Sequence, residues 1–182
     1  MSAVTRIRPL ILLPLIALAG AATGQTRHDS SAPLDFDAGY MELQDKANRA
    51  ILSGGVSVRQ AEMTLNASRV TIAYTGQVAS GAPQASRIDA SGGVTINRPD
   101  QRAKSQYAVY DLGKRQITML GGVTLAQGGN TLNGGRLVIN LDSGRAVMDG
   151  TGTASQVKAP DGSVVRSGGR VTGRFTVPKR SE

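Results

Sequence analysis

A twenty-residue ribbon occurs nearly twice in this chain, opened each time by a glycine pair. Gly54 to Ala73 reads GGVSVRQAEMTLNASRVTIA and Gly121 to Asn140 reads GGVTLAQGGNTLNGGRLVIN, at a constant offset of 67 residues. Gly54, Gly55, Val56, Gln60, Thr64, Leu65, Asn66, Arg69 and Ile72 recur as Gly121, Gly122, Val123, Gln127, Thr131, Leu132, Asn133, Arg136 and Ile139. Repetition of this kind means one supersecondary unit used more than once, and it restricts architecture more than composition can.

Aligning the chain on its Gly-Gly-Val triplets yields one template. Apolar or small residues occupy Ala50, Leu52, Gly54, Val56 and Val58, then Ile88, Ala90, Gly92, Val94 and Ile96, then Ile117, Met119, Gly121, Val123 and Leu125. A weaker fourth copy runs through Ala146, Met148, Gly150, Gly152 and Ala154. Spacing by two sends alternate side chains to one face, so each copy reads as a strand. The glycine pair inside it marks a turn, bulge or bend. Each copy leads into a second alternating segment: Val70, Ile72 and Tyr74; Ala108, Tyr110 and Leu112; Leu137, Ile139 and Leu141. Turn residues separate the segments at Asp111, Gly128, Asn133, Asp142 and Pro160, because Asn and Asp tolerate left-handed backbone and Gly adopts it freely. GYMELQDKANRA, from Gly39 to Ala50, reads as two strands around a turn at Asp45 to Asn48. The expectation is an all-β chain of repeated antiparallel hairpins. Triplet spacings of 38 and then 29 residues suit a parallel β-helix less well, though it stands as the alternative architecture.

The first 24 residues belong to a different class of segment. Arg6 and Arg8 precede a short apolar run from Leu10 to Leu18, and small residues follow. That is the layout of a secretory signal peptide, with cleavage after Ala21 or Gly24; a retained membrane anchor is the competing reading. Residues 25–33 are polar and expected to form a disordered linker, 34–160 the repeated β unit, and 161–182 a basic edge strand and tail. With no cysteine there is no disulfide framework and no thiolate metal site. Losing Arg6 and Arg8 leaves 19 basic residues against 13 acids, a net +6. Such a surplus suits an anionic partner or simply aids solubility. Nucleic acid fits poorly, since two Phe and four Tyr offer little for base stacking.

Little in the chain is equipped for catalysis. His28 is the sole histidine and falls in the expected linker, away from partners that a metal site or general base would need. Without another histidine no serine can be activated by the usual base. Asp111, Asp142 and Asp161 fall in turns, where aspartate has a structural role, and Asp35 and Asp37 alternate on an edge strand. The chain is expected not to be an enzyme and to need no cofactor or metal.

The ribbon itself resembles the repeat of the OstA-like family, whose small periplasmic members are lipopolysaccharide-transport bridge proteins of the LptA type. ASGGVTINRPDQRAKSQYAVYDLGKRQITMLGGVTLAQGG carries the likeness best, and PLDFDAGYMELQDKANRAILSGGV is similar to the family's opening strands. The resemblance covers roughly Leu34 to Gly150; where many relatives have Gly-Asn-Val this chain has Gly-Gly-Val. It implies an all-β, antiparallel, V-shaped β-jellyroll, open at both ends. It further implies a periplasmic protein that shields lipid A acyl chains inside, stacks head to tail, and bridges inner- and outer-membrane transport partners. Alternation then assigns the groove to Leu52, Val56, Val58, Val70, Ile72, Ile88, Val94, Ile96, Ile117, Met119, Val123, Leu125, Leu137, Ile139 and Leu141. Arg69 and Arg136, equivalent in the repeat, are the candidates to meet lipid phosphates at the groove mouth. Two other readings stand beside this one: the anchored inner-membrane subunit of the same system, and an exported structural or polysaccharide-binding β-repeat protein. The family's outer-membrane component carries a large C-terminal barrel, which these 182 residues do not include.

Overall fold

Six long strands, each alternating apolar and polar residues, are the frame of the molecule. The computed structural model describes residues 28–76, 83–150, 156–158, 164–166 and 169–175. The expected signal segment and the turn at Pro160 lie outside these residues. The strands are β1 (Leu34–Asp37), β2 (Tyr40–Gln44), β3 (Arg49–Gln60), β4 (Met63–Thr75), β5 (Gln84–Asn97), β6 (Gln101–Asp111), β7 (Gln116–Gln127), β8 (Asn130–Asn140), β9 (Ala146–Asp149), β10 (Gln156–Lys158), β11 (Val164–Arg166) and β12 (Thr172–Arg174). A 3-10 turn at Asp45–Ala47, closed by Asn48 in the left-handed region, joins β2 to β3 as the turn chemistry predicts. Ten strands form a single antiparallel sheet that does not close into a barrel, with β3 to β8 in sequence order. β10 and β11 pair with each other. Antiparallel pairing throughout replaces the β-helix alternative.

The glycine pairs do their work in the middle of the strands. Between Ser53 and Val56 of β3 stand two residues, where β4 has only Ser68 between Arg69 and Ala67. The same two-against-one mismatch recurs at Gly92–Gly93 against Gln106 and at Gly121–Gly122 against Gly135. An extra residue bends the bulged strand and raises its twist. All six glycines have positive φ, between +63° and +84°. Because the bulges fall at one level on β3, β5 and β7, they crease the whole sheet along a line. Asn133 was expected to open a turn here; instead it pairs with Thr124 and Thr172 inside a continuous β8. The adjoining Gly134 and Gly135 belong to the crease, which explains their presence without a turn.

The crease divides the sheet into two leaves. One, the hairpin leaf, ends in the tight β3–β4, β5–β6 and β7–β8 turns. The other, the loop leaf, ends in the β2–β3, β4–β5, β6–β7 and β8–β9 connections. Their inner faces meet: the Tyr110 hydroxyl in the loop leaf of β6 donates to Gln60 Oε1 in the hairpin leaf of β3, at 2.8 Å. Two strands, β4 and β5, separate these residues within the sheet, so the contact crosses the interior. Short strands finish each leaf at each edge. β1 and β2 lie along the two halves of β3, and β12 and β9 along the two halves of β8.

Residues 28–33 are a correction to the expected free linker. His28 is buried, its ring Nε2 lies 3.2 Å from Gln60 Oε1, and Gln60 Nε2 donates to the carbonyls of Ser30 and Ala32 at 3.0 Å each. Polarity had suggested solvation, but these polar groups are satisfied by a glutamine at an inward strand position.

Candidate functional site

Alternation places the predicted groove residues on the inner faces of the two leaves. All fifteen are between 0 and 8 % exposed and belong to one continuous core. Registers show how they align. One inner row of the loop leaf runs Met41, Leu52, Val70, Ala90, Ala108, Met119, Leu137 and Met148, one residue from each of eight neighbouring strands. The next row runs Leu43, Ala50, Ile72, Ile88, Tyr110, Ile117, Ile139 and Ala146. On the hairpin leaf, Phe36, Val58, Leu65, Ile96, Ala103, Leu125 and Leu132 face them. At about 4.8 Å between strands, each eight-strand row is roughly 34 Å long.

These rows differ from an ordinary sandwich core at their ends. Where a core would be capped, the apolar rows emerge: Phe36 is 47 % exposed, Met41 47 % and Leu43 46 % at the β1–β2 edge. At the opposite edge Val171 and Phe175, two residues either side of the inward Gly173, are 43 % and 67 % exposed. Large apolar side chains left uncovered at a sheet edge form a surface suited to contact with another apolar surface. In the middle the leaves touch, and the small side chains Ala90, Ala103, Ser105 and Ala108 keep the centre narrow.

Several inward residues escape the sequence pattern. Met63, Leu65, Ala67 and Ala103 are buried in the same core. On β4 and β6 inward residues are odd-numbered on the hairpin leaf and even-numbered on the loop leaf, so a single alternating template cannot follow them across the bulge. Arg69 and Arg136 are corrected in the other direction. Each immediately precedes an inward residue, Val70 or Leu137, and is itself exposed, so its side chain leaves from the outer face and not at a groove mouth. Arg136 lies 3.8 Å from Asp149 there.

Charged groups elsewhere serve turns. Asp111 accepts from the Lys114 backbone N–H at 2.9 Å and pairs with its ammonium at 3.2 Å, which holds this carboxyl below the usual carboxylate range. Asp142 pairs with Arg115 at 3.1 Å. Asp35 and Asp37 lie on the exposed edge strand β1. Among the described residues no group of His, Asp and Glu is placed to hold a metal ion, and no helix is long and apolar enough to cross a membrane.

Known proteins share this arrangement. A solved structure, the LptA-homologous periplasmic component LptH of the lipopolysaccharide transport device of Pseudomonas aeruginosa, is similar in fold. Its TM-score is 0.65 at 20 % identity, over 82 % of this chain and 99 % of that one. An uncharacterised protein of Rhizobium meliloti (strain 1021) is 29 % identical over 154 residues, 81 % of this chain and 83 % of its own length. Residues 36–145, which span the creased sheet from β1 to the end of β8, match the family described as LptA/(LptD N-terminal domain) LPS transport protein, and the chain belongs to that family.

Proposed function

We propose that this protein carries lipopolysaccharide through the periplasm, with the lipid A acyl chains held between the two leaves and the sugars outside. The observation that supports this most directly is the emergence of the aliphatic rows at both edges of the sheet. Each methylene left in water costs about 0.8 kcal/mol, so a lipid with several acyl chains needs shielding along its whole path. Rows that run out at both edges can be prolonged by a neighbour, which a closed core cannot. The fifteen inward residues named above form the acyl path. Arg69 and Arg136, on the outer face, take no part in it.

Among the described residues both edges also present unpaired backbone, which can accept a strand from another chain. A head-to-tail contact of this kind does not close on itself and produces a filament. The partners are further copies of the chain and the inner- and outer-membrane components of the transport system, between which the stack forms a bridge. Removing residues 167–182 takes away β12, and is expected to abolish concentration-dependent oligomers in sedimentation velocity while the β circular-dichroism signal persists. Unchanged oligomers would exclude that edge.

The test of the function is acyl dependence. Purified protein is expected to bind fluorescently labelled lipopolysaccharide, with intact unlabelled lipopolysaccharide competing and its fully deacylated form competing at least a hundredfold less well. Equal competition by the deacylated form would place recognition in the sugars and overturn the acyl path.

A further inference from the structure

The side of the molecule opposite the crease is where the leaves must part to admit a guest, and it is closed by a polar knot. Gln60 stands at its centre, only 2 % exposed although it occupies an inward position otherwise given to aliphatic residues. Its amide nitrogen donates to the carbonyls of Ser30 and Ala32, which fixes the amide orientation and leaves Oε1 as the acceptor. That oxygen receives the Tyr110 hydroxyl at 2.8 Å from the other leaf and faces His28 Nε2 at 3.2 Å, so the histidine nitrogen there carries the proton. One amide thus ties together the strap of residues 28–33, the hairpin leaf and the loop leaf, using both of its N–H groups and both lone pairs.

We infer that this knot is a clasp, and that Gln60, Tyr110 and the strap must separate before the leaves can take up lipid. It presupposes the acyl path proposed above. Three features favour a releasable contact over a permanent one. The strap reaches the body through side-chain bonds to Gln60 and does not pair as a strand until Leu34. One of its buried polar atoms is poorly served: His28 Nδ1 meets Glu62 Oε1 at 3.4 Å without hydrogen-bond geometry. A buried ring nitrogen without a hydrogen bond opposes the contribution of the four bonds. Beside the strap, a cleft of about 890 Å³ already lies between the leaves, lined by Leu34 and Gln60 on one side and Ala85, Asp111, Leu112 and Arg115 on the other. Parting the clasp would join this cleft to the aliphatic rows.

The absence of native cysteine allows a direct test. In the double variant Gln60→Cys, Tyr110→Cys the clasp is removed, and a short bis-maleimide can then replace it covalently. Treated with N-ethylmaleimide, this variant is expected to bind labelled lipopolysaccharide at least as tightly as the unaltered protein; once linked, it is expected to bind at least tenfold more weakly. If the linked and unlinked forms bind alike while the unaltered protein also binds, the clasp is wrong and the acyl path stands. If the unaltered protein itself does not bind, the acyl path falls and the clasp with it. Tyr110→Phe, which removes one hydroxyl and keeps the ring, provides a second measurement that needs no lipid. It is expected to speed hydrogen exchange at the Ser30, Ser31 and Ala32 amides about fivefold, the effect of losing one hydrogen bond, with core strands unchanged. Unchanged exchange at those three amides would overturn the clasp.

Discussion

Gly92→Ala is expected to destabilise the protein by roughly 3 kcal/mol, and Gly93→Ala, one residue away, by only about 1 kcal/mol. The two positions have nearly the same backbone, with φ of +83° and +78°. An L-residue is disfavoured there by a similar amount at both, so backbone strain cancels from the comparison. What differs is the surroundings. A Cβ on Gly92 would lie 2.7 Å from Ser68 Cβ and 2.9 Å from Ser68 Oγ, whereas one on Gly93 would meet nothing within 4 Å. Ser68 cannot easily retreat, because its hydroxyl donates to the Gly92 carbonyl at 2.6 Å. Relief requires β4 and β5 to move apart at the crease, where each strand is already bent. For a chain of this size the two variants should differ in melting temperature by several degrees, roughly 4–8 °C. Equal losses in thermal and urea denaturation would mean that the crease tolerates separation, and that the glycine pair is there for backbone conformation alone.

This pair of glycines also explains how much of the structure was legible in the chain. Period-two alternation with a repeated glycine pair led directly to antiparallel strands, and the inward residues of β3, β5 and β7 followed because a two-residue bulge preserves parity. Leu52 and Val56, or Met119 and Val123, remain in phase across it. On the partner strands the bulge is opposed by a single residue, and parity inverts. Met63, Leu65 and Ala67 are inward on one side of the bend, Val70, Ile72 and Tyr74 on the other. Read as one alternating series, these residues interrupt each other, so only the second half of each strand was recognised. The phase error is a pairing effect, invisible until two strands are placed side by side.

The clasp was hidden for a different reason. His28, Ser30 and Ala32 sit in a polar run whose composition favours solvent, and composition carries no information about a single buried glutamine thirty residues away. The available signal was Gln60 itself. It follows Val56 and Val58 at the same spacing, where a polar residue at an inward position needs a partner. Its repeat equivalent, Gln127, instead bonds Asp100 at 3.3 Å, so the repeat preserved the residue without preserving its contact.

The last expected result concerns the path of the lipid. A photo-activatable residue placed at Ile139 or Leu125 should crosslink lipopolysaccharide in cells, and one at Asn140 or Thr124 should not. Successive side chains on a strand point to opposite faces, so adjacent positions sample the same depth along the stack and differ only in facing. Ile139 is 3 % and Leu125 4 % exposed, within the inner rows. Asn140 and Thr124 face outward, where Asn140 Oδ1 accepts from the Ser143 N–H and Thr124 Oγ1 donates to Asn133. Because the leaves touch in the closed protein, contact at Ile139 requires that they part, so the yield should fall in the covalently linked clasp variant and remain in its unlinked control. Contact from both parities would mean that lipid travels over the surface. Contact from neither, in a protein that still folds, would leave the aliphatic rows as a packed core and move the cargo elsewhere. Strong crosslinking at the inward positions and background at the outward ones is the outcome expected of the proposed acyl path, since the inner rows bring apolar side chains from eight strands into register.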